Sequence, residues 1–443
     1  MHPATHREDR CTDLSETARV LATVLFPTLA RGVLLRRPRA MALLTRSNAE
    51  RYMVDTLRDL RRRHGDDPLM LSVPMRRVAL VLAPEDVDRI LEGTPDPFSP
   101  AGAEKESALS PFQPHGVLIS DHEARNSRRP ANAEALRPGE PLHPDASFIA
   151  GEVDDEAHTL AVALERGNHL TWDRFSESFD ALARRVVFGP GAAEDRRTNT
   201  LLRRLRARGN WSYLAPTDRA TREEFLSRVR KNAQHSAPGS LASWLISTSG
   251  QDPRSRPEDQ IGHWLFAFTA AAMATYRALY LMTALGTEAR PVSEEARHAQ
   301  GLDLPLTRAT IQESVRLWPT TLVILRESTR ETGWRDTTFP AGTVFAMMSS
   351  YLHRDRDRLP YADGFTPDIW LDGRAQAEPG LVPFSAGPAA CAGRDMVLLT
   401  ASLFLAGLLR RRGLTPIGAY GPRPGHDLPL SLNHFALRFS VFR

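Results

Sequence analysis

A long apolar segment near the middle of the chain limits how the protein can fold. It runs from Ile261 to Leu285 and ends at Gly286, and as a single helix it would be about 38 Å long. Polar side chains at Thr269, Tyr276 and Arg277 interrupt it, and a charged side chain facing lipid is costly. We therefore predict a helix that is buried in the centre of a large domain.

The composition of the chain is that of a globular protein. Of its 443 residues, 42% are hydrophobic and 25% are charged. The formal net charge is only +4, which gives no reason to expect a nucleic acid partner. The basic side chains are almost all arginine, with lysine only at Lys105 and Lys231, a bias typical of bacteria with GC-rich genomes. Two cysteines in so long a chain do not indicate a disulfide-stabilised secreted protein, so we expect a cytoplasmic one.

Residues 1–45 are predicted to form an N-terminal extension packed on the rest of the chain. Their apolar part, residues 18–35, contains Arg19, Pro27 and Arg31 and is shorter than the roughly 20 apolar residues that span a membrane. Arginines follow it, rather than the small residues of a signal-peptide cleavage site. We expect no stable membrane insertion, and a weak contact with a membrane surface is the alternative.

Helical patterns dominate the remainder of the chain. They occupy most of residues 151–250, and further helices are predicted at about 307–318 and 393–412, with short strands between these two and at the C-terminal end. The stretch 95–114 is rich in Pro, Ser and Gly and predicts a long loop. No flexible linker divides the sequence, so we predict one domain over residues 1–443, mostly α with a small β region.

The segment that begins at Phe384 has the strongest chemical signal in the sequence. Cys391 lies between Gly387 and Gly393, directly before the last predicted helix. Glycines let the backbone approach a large flat cofactor closely, and amide groups at the start of a helix favour the thiolate form of a cysteine. Phe384 can pack against such a cofactor. A buried free cysteine is the alternative, but the spacing of the glycines favours an iron–thiolate site.

This segment resembles the ligand loop of the cytochrome P-450 family, F-x-x-G-x-x-x-C-x-G, and matches it at every fixed position. The resemblance implies the mostly helical fold of that family. It also implies one haem b (iron protoporphyrin IX) with Cys391 as the axial ligand of the iron. Phe384, Gly387 and Gly393 are then expected to lie against the cofactor.

A second resemblance to the family is the pair Glu313 and Arg316. Residues three apart lie on one face of a helix and can form an ion pair. Such pairs are common, but this one stands 78 residues before Cys391, in the predicted helix that precedes the strands. The resemblance implies a buried structural pair, not a catalytic one. The family usually adds an arginine from a later segment, where this chain has Ile369, so either another arginine substitutes or the pair stands without one.

The third resemblance lies in the predicted central helix, from Ala271 to Thr275. The family has small residues here, then an acid, then a threonine that stabilises bound oxygen. The resemblance implies that Ala271 lies against the cofactor and that Thr275 is catalytic. Ala272 replaces the usual glycine and Ala274 replaces the usual acid. A threonine inside a helix often bonds to its own backbone, which is the alternative for Thr275.

Two arginines are implied as partners of the haem propionates. Arg128 matches the arginine of the family pattern H-x-x-x-R, although Ala124 stands where the histidine is expected and His122 could take its place. Arg326, in the predicted strand after the helix of the ion pair, matches a second such arginine. Ala389 stands where the family often has His or Arg.

The resemblance implies a monooxygenase that uses O2 to oxidise a small, largely apolar organic substrate. The chain has no glycine-rich dinucleotide motif and no cysteine cluster for an iron–sulfur centre, so two electrons would come from a ferredoxin and a ferredoxin reductase. Bacterial relatives often modify secondary metabolites, which is our working hypothesis. The alternatives are atypical chemistry on the same haem (peroxide-driven oxidation, rearrangement, C–C or C–N coupling) and a non-catalytic haem sensor.

Overall fold

The computed structural model describes residues 11–74, 76–165, 167, 169–211, 214–249, 254–418 and 421–442, without the side chains of residues 122 and 249. Helices dominate this part of the chain and the strands are short, which confirms the predicted fold class. The α-helices are α1 (Leu14–Val20), α2 (Phe26–Ala30), α3 (Pro38–Arg46), α4 (Ala49–His64), α5 (Pro84–Glu92), α6 (Ala103–Leu109), α7 (His122–Leu136), α8 (Ala146–Glu165), α9 (Trp172–Phe188), α10 (Arg196–Gly209), α11 (Arg219–Gln234), α12 (Leu241–Ser249), α13 (Pro257–Ala284), α14 (Arg290–His298), α15 (Pro305–Leu317), α16 (Ser349–His353), α17 (Arg374–Ala377) and α18 (Arg394–Arg411).

The strands are β1 (Leu69–Met70), β2 (Val78–Leu80), β3 (Phe98–Ser99), β4 (His169–Thr171), β5 (Val323–Ser328), β6 (Thr332–Gly333), β7 (Thr338–Phe339), β8 (Val344–Met348), β9 (Gly413–Pro416) and β10 (Arg438–Phe442). Short 3-10 helices occupy Val117–Ile119, Pro190–Ala192, Pro367–Trp370, Gly387–Ala389 and His434–Ala436, and a π-helical turn at Leu21–Leu25 joins α1 to α2.

The predicted central helix is α13, the longest helix of the described residues. Pro257, Glu258 and Asp259 form its first turn, where the two acids suit the positive end of the helix dipole. It ends before Gly286, whose φ of 56° breaks the helix. The helix packs against α9, α11, α15 and α18. It is long and apolar enough to cross a membrane, but 78% of its most apolar stretch is buried inside the protein.

The strands form three small sheets. The largest has the order β1-β2-β8-β5-β3, in which β2 and β8 are parallel and the other neighbours are antiparallel. Apolar side chains of this sheet pack with those of α4 and α5 in one cluster, apart from the larger cluster around α13. In the second sheet β10 lies between β4 and β9, and β6 pairs with β7 in the third. Because β5 carries Arg326, the largest sheet forms one wall of the site described below.

The N-terminal segment is fixed to the sheet and to α10. Val20 and Val24 are fully buried in the cluster of the five-stranded sheet. Further along, Asn210, directly after α10, accepts hydrogen bonds from the amides of Leu34 and Leu35 at 2.8 and 3.1 Å. The Asn210 amide also donates to the Leu35 carbonyl at 2.7 Å. Residues 34 and 35 are thereby attached to the end of α10.

The stretch 95–114 differs from the long loop that its composition predicts. It contains β3 and α6, because its good helix formers are concentrated in Ala103–Leu109 and its prolines stand on either side. This short helix brings Lys105 to β5, where the ammonium group donates to the Leu325 carbonyl at 3.0 Å. The helix α6, which the composition of this stretch does not predict, therefore adds a cation to the site.

Candidate haem-binding site

Cys391 lies in the loop between the 3-10 turn Gly387–Ala389 and α18. Its amide donates to the Phe384 carbonyl at 2.9 Å, which closes the loop, and the Phe384 ring packs against the main core. Cys391 is accessible to water, and burial by the surrounding protein raises the pKa of its thiol. A hydrogen bond from the Gly393 amide and the charge of Arg394 lower this pKa and so favour the thiolate.

Gly387 and Gly393 have different reasons to be glycine. Gly387 has a φ of 63°, and a Cβ atom there would lie 2.3 Å from the Leu91 carbonyl oxygen, so the protein itself excludes a side chain. The backbone of Gly387 therefore approaches the end of α5 closely. The sequence instead predicts a close approach to the cofactor. A Cβ atom on Gly393 would meet no protein atom within 4 Å, which leaves room for a cofactor.

Glu313 and Arg316, both in α15, form an ion pair with no exposed surface. Arg316 Nε lies 2.8 Å from Glu313 Oε2, and Arg316 Nη2 lies 2.6 Å from Glu313 Oε1. The guanidinium also donates to the carbonyls of residues 353, 361, 362 and 364. Every nitrogen of the Arg316 guanidinium thus has a partner, and the pair binds the chain that follows β8.

Ile369 occupies the position where the family usually has a third charged residue, an arginine. In this chain, neutral hydrogen-bond donors reach Glu313 instead. Glu313 accepts a hydrogen bond from the Trp370 indole Nε1 at 3.0 Å and another from the Thr366 amide at 2.9 Å. Ile369 itself is fully buried in a small apolar cluster. The ion pair therefore stands without a further arginine, supported by a tryptophan and a backbone amide.

His353 connects this ion pair to the ligand loop. Its carbonyl accepts from Arg316 at 3.2 Å, and its Nε2 accepts from the Val382 amide at 3.2 Å. Burial and the charge of Arg316 lower the pKa of His353 to about 3, so the ring is neutral and can accept this bond. The Val382 carbonyl in turn accepts from the Ser385 amide, next to Phe384.

Thr275 is fully buried in α13. Its hydroxyl donates to the Ala271 carbonyl at 2.7 Å, which is the backbone bond that sequence analysis gives as the alternative. Ala271 and Ala274 are also buried, and the Ala274 carbonyl accepts from the Ser314 hydroxyl of α15 at 2.8 Å. A change of the Thr275 χ1 rotamer would be needed to direct its hydroxyl at a ligand.

Three cations converge beside β5. Arg326 donates to the Thr94 hydroxyl at 3.1 Å and to the Ser385 hydroxyl at 3.3 Å, so it joins the end of α5 to the ligand loop. Lys105 donates to two backbone carbonyls at 2.9 and 3.0 Å. Arg125 donates from Nη1 to a backbone carbonyl at 3.0 Å, and its buried Nη2 has no hydrogen-bond partner.

The charges of these three side chains repel one another. Burial, with the charges of Arg326 and Arg125, holds the pKa of Lys105 well below its usual value. Burial and Arg125 lower the pKa of Arg326 to about 10. Burial likewise lowers the pKa of Arg125 to about 10. An anion beside this cluster would be strongly favoured.

The nearby acids are engaged elsewhere. Glu104 and Glu327 both pair with Arg76, at 2.7 and 2.9 Å. Among the residues that the structure describes, no carboxylate lies within ion-pair distance of the three cations. The positive charge of the cluster is therefore not neutralised by a described side chain.

Arg128, the predicted propionate partner, lies outside this cluster. It donates to the Arg254 carbonyl at 3.1 Å and to the Ser120 hydroxyl at 2.7 Å, near the start of α13. Arg125, one turn earlier on α7, is the arginine that approaches Arg326. The side chain of His122, proposed as a substitute for the missing histidine, lies outside the described residues.

No sequence motif identifies Lys105 or Arg125. The one signal for Arg125 is its position three residues before Arg128, on the same side of α7. For Lys105 the signal is its rarity, since the chain has only one other lysine. Neither signal tells which side chains meet in space.

These features fit an iron porphyrin. No group of three or more His, Cys, Asp or Glu side chains in the described part of the chain is placed to hold a metal ion, so a metal at Cys391 would take other ligands from a cofactor. Cys391 would ligate the iron of a haem, and Lys105, Arg125 and Arg326 would neutralise its two propionates. The open space beside Gly393 would admit the macrocycle.

Comparisons with known proteins agree with this fit. The family model for cytochrome P-450 matches residues 282–424, which contain Glu313, Arg316 and Cys391. Residues 282–424 therefore match the cytochrome P-450 family.

Curated relatives match a limited part of this chain. Probable cytochrome P-450 4d20 of Drosophila melanogaster is 33% identical over 140 residues, which are 31% of this chain and 27% of that protein. Cyclooctat-9-en-7-ol 5-monooxygenase of Streptomyces melanosporofaciens is 35% identical over 128 residues, 28% of each chain. The chain thus spans little more than a quarter of the length of these relatives.

The likeness of fold extends over most of the chain. The retinoic acid-bound cyanobacterial CYP120A1 superposes with a TM-score of 0.68 and covers 88% of this chain and 94% of that one. The two sequences are 19% identical, so this comparison shows the fold alone.

We predict that Glu313→Ala lowers the free energy of unfolding by about 3–5 kcal/mol, because Arg316 would remain buried without its counter-ion. Denaturant unfolding and the haem content of purified protein measure the effect. Glu134→Ala is the matched control, since Glu134 pairs with Arg137 at the same spacing but is 44% exposed. Its expected cost is about 0–1 kcal/mol. Equal losses in the two variants would contradict the buried-pair assignment.

We predict that Lys105→Met weakens haem retention by about tenfold, the effect of roughly 1.4 kcal/mol. The stability of the haem-free protein should not fall, because the substitution removes repulsion from Arg125 and Arg326. Transfer of haem to an acceptor apoprotein measures retention, and denaturant unfolding measures stability. Lys231→Met, at the exposed second lysine on α11, should change neither quantity. Unchanged retention in Lys105→Met would remove Lys105 from the propionate site.

Proposed function

We propose that this P-450 is a monooxygenase that oxidises a small organic substrate with O2 at one haem b. The observation that carries the proposal is Cys391, which is accessible to water directly before α18 and receives a hydrogen bond from the Gly393 amide. When bound, a haem with a thiolate ligand supplies the oxygen-activating chemistry. Membership of the family supports the same conclusion.

The chain's own residues have four proposed tasks. Cys391, with Phe384 and Gly393 around it, holds the cofactor on one side. Lys105, Arg125 and Arg326 bind the propionates. Thr275 is the proposed catalytic hydroxyl, which must leave its bond to the Ala271 carbonyl to reach a ligand. Glu313 and Arg316 keep the ligand loop in place without touching the substrate.

The wall of the cavity formed by α13 supports a substrate that is mostly apolar. His263, Phe266 and Ala270 are each partly accessible along one side of this helix. Burial lowers the pKa of His263 to about 4, so this histidine is neutral at physiological pH. The Streptomyces relative is by its name a monooxygenase of cyclooctat-9-en-7-ol, and we propose secondary metabolism as the setting here also.

The proposed electron donors are a ferredoxin and a ferredoxin reductase, in the cytoplasm. The sequence supports this because it contains neither a dinucleotide-binding motif nor a cysteine cluster. One domain, with the N-terminal residues as an extension packed on it, remains our proposal for the organisation of the chain.

A specific observation favours atypical chemistry on the same haem as the second candidate. Ala274 has no titratable group, and the Thr275 hydroxyl donates to its own helix. Proton delivery needs a titratable group or a water chain within hydrogen-bond reach. In the first candidate, protons would come from ordered water or from the substrate. In the second, a peroxide-driven or coupling reaction would not need this relay.

The assignment of Cys391 is tested by the carbon monoxide difference spectrum of the reduced protein. We expect a thiolate-type spectrum with one haem per chain, lost in Cys391→Ala. Cys11→Ala is the control, because Cys11 lies in the N-terminal segment beside β1. A histidine-type spectrum in folded wild-type protein, or an unchanged spectrum in Cys391→Ala, would reject the proposal.

The role of Thr275 is tested by product formed per NADPH consumed, with ferredoxin and reductase supplied. We expect Thr275→Ala to divert electrons to hydrogen peroxide and to lower this ratio. Thr283→Ala is the control, since the Thr283 hydroxyl makes the same bond to the carbonyl four residues earlier, at the far end of α13. If both variants keep the wild-type ratio, Thr275 has no catalytic role and the second candidate is preferred.

A further inference from the structure

A second group of arginines lies where the N-terminal segment meets α10 and α13. Arg206, in α10, is 5% exposed and donates to the Thr269 hydroxyl at 2.9 Å and to the Leu34 carbonyl at 3.2 Å. Its guanidinium lies over the ring of Phe266, 5.0 Å from the centroid. Thr269 and Phe266 belong to α13 and stand within five residues of Ala271. Arg206 therefore contacts α13 close to Ala271, which is expected to lie against the cofactor.

Arg36 reaches the same region from the N-terminal segment. Its guanidinium donates to the Thr320 carbonyl at 2.5 Å and to the Gly32 carbonyl. Thr320 begins the segment that leads into β5. Arg36 is partly accessible.

The positive charges around Arg36 are only partly balanced. Burial, together with the charges of Arg277, Arg31 and Arg206, lowers the pKa of Arg36 to about 9. Glu50 acts in the opposite direction, but its carboxylate is paired with Arg31. An additional negative charge beside Arg36 would stabilise this group of arginines.

The environment of Arg206 is similar. Burial lowers its pKa to about 10, and the charge of Asp180 opposes this effect. Asp180, however, pairs with Arg203 at 3.5 Å. The nearby His434 is kept neutral by burial and by the charges of Arg277 and Arg36, so it adds no charge of either sign.

Both guanidinium groups keep hydrogens for a further acceptor. Each guanidinium carries five N–H hydrogens. Arg206 donates three of them, to Leu34 and Thr269. Arg36 donates two. Throughout the described ranges no carboxylate lies within ion-pair distance of Arg36 or Arg206. A guanidinium matches the two oxygens of a carboxylate, and a buried one is stable when it is so paired.

We propose that the substrate is an organic acid with an apolar body, and that Arg36 and Arg206 bind its carboxylate. The Phe266 ring beside Arg206 packs against Phe112 and His263, with centroids 5.4 and 5.8 Å apart, which suits the apolar body. This inference rests on the proposed function and names the substrate class of the same cavity.

The test compares acids with their own methyl esters on the ferric holoenzyme. Dodecanoic acid and abietic acid, each with its ester, are titrated at neutral pH while the shift of the haem Soret band is followed. We expect the acid of at least one pair to bind about tenfold more tightly than its ester. Arg36→Gln and Arg206→Gln should each remove about this preference and leave ester binding unchanged.

Arg203→Gln is the matched control, because Arg203 is in the same helix but 61% exposed. It should preserve the preference for acids. Arg206→Lys keeps the positive charge but not the paired N–H donors of the guanidinium, so it should retain part of the preference for acids. It serves as the test if the glutamine variants do not fold. Equal binding of acid and ester to the wild type, failure of both acids to bind, or equal losses for acid and ester in the variants would overturn the proposal. The arginines would then only hold residues 32–36 in place.

Failure of the proposed function can be told apart from failure of this inference. A carbon monoxide spectrum without the thiolate signature would reject the haem-thiolate assignment. Preferential thermal stabilisation of the same holoprotein by acid over ester would still support the carboxylate site.

Discussion

The Glu313–Arg316 ion pair is fully buried, so its stability depends on what surrounds it. Removing two charges from water costs more than their attraction returns unless the remaining donors and acceptors are also satisfied. Here the satisfying groups come from the chain after β8 and from Trp370 and Thr366. Because His353 bonds to Arg316 through its carbonyl and to Val382 through its ring, the position of the ligand loop depends on this pair.

Charge in the interior of this protein is of two kinds. The charges of Glu313 and Arg316 are neutralised within the protein and hold the fold. The cations at Lys105, Arg125 and Arg326, and those at Arg36 and Arg206, donate mainly to carbonyls and hydroxyls, and their pKa values are lowered by burial. Such groups suit ligands that bring their own negative charge. The two groups use different elements, so a cofactor and a substrate can each be bound without competing for the same side chains.

Local sequence patterns predict the elements that carry the site. The apolar run at 261–285 and the pattern at 307–318 lie within a few residues of the bounds of α13 and α15, because a helix is defined by neighbours in the sequence. The spacing of Glu313 and Arg316 fixes their pairing for the same reason.

The other features depend on contacts between distant segments. Trp370 reaches Glu313 across 57 residues, and Lys105 reaches β5 across 220. No local pattern contains either contact. The family pattern locates α7 but does not say which of its arginines faces inward, since packing sets the rotation of the helix. The structure brings the charge of Arg125, and not that of Arg128, close to Arg326.

The attachment of the N-terminal segment to α10 has a mechanical consequence. Asn210 makes three hydrogen bonds to Leu34 and Leu35, and Arg206 bonds to the Leu34 carbonyl from the same helix. Separating the segment from α10 would break all of these bonds together, whereas moving both as one body breaks none of them. Residues 34–35 and the end of α10 thus form a single moving part, and any opening of the cavity on this side displaces Arg206 and the chain beside Arg36 in the same motion.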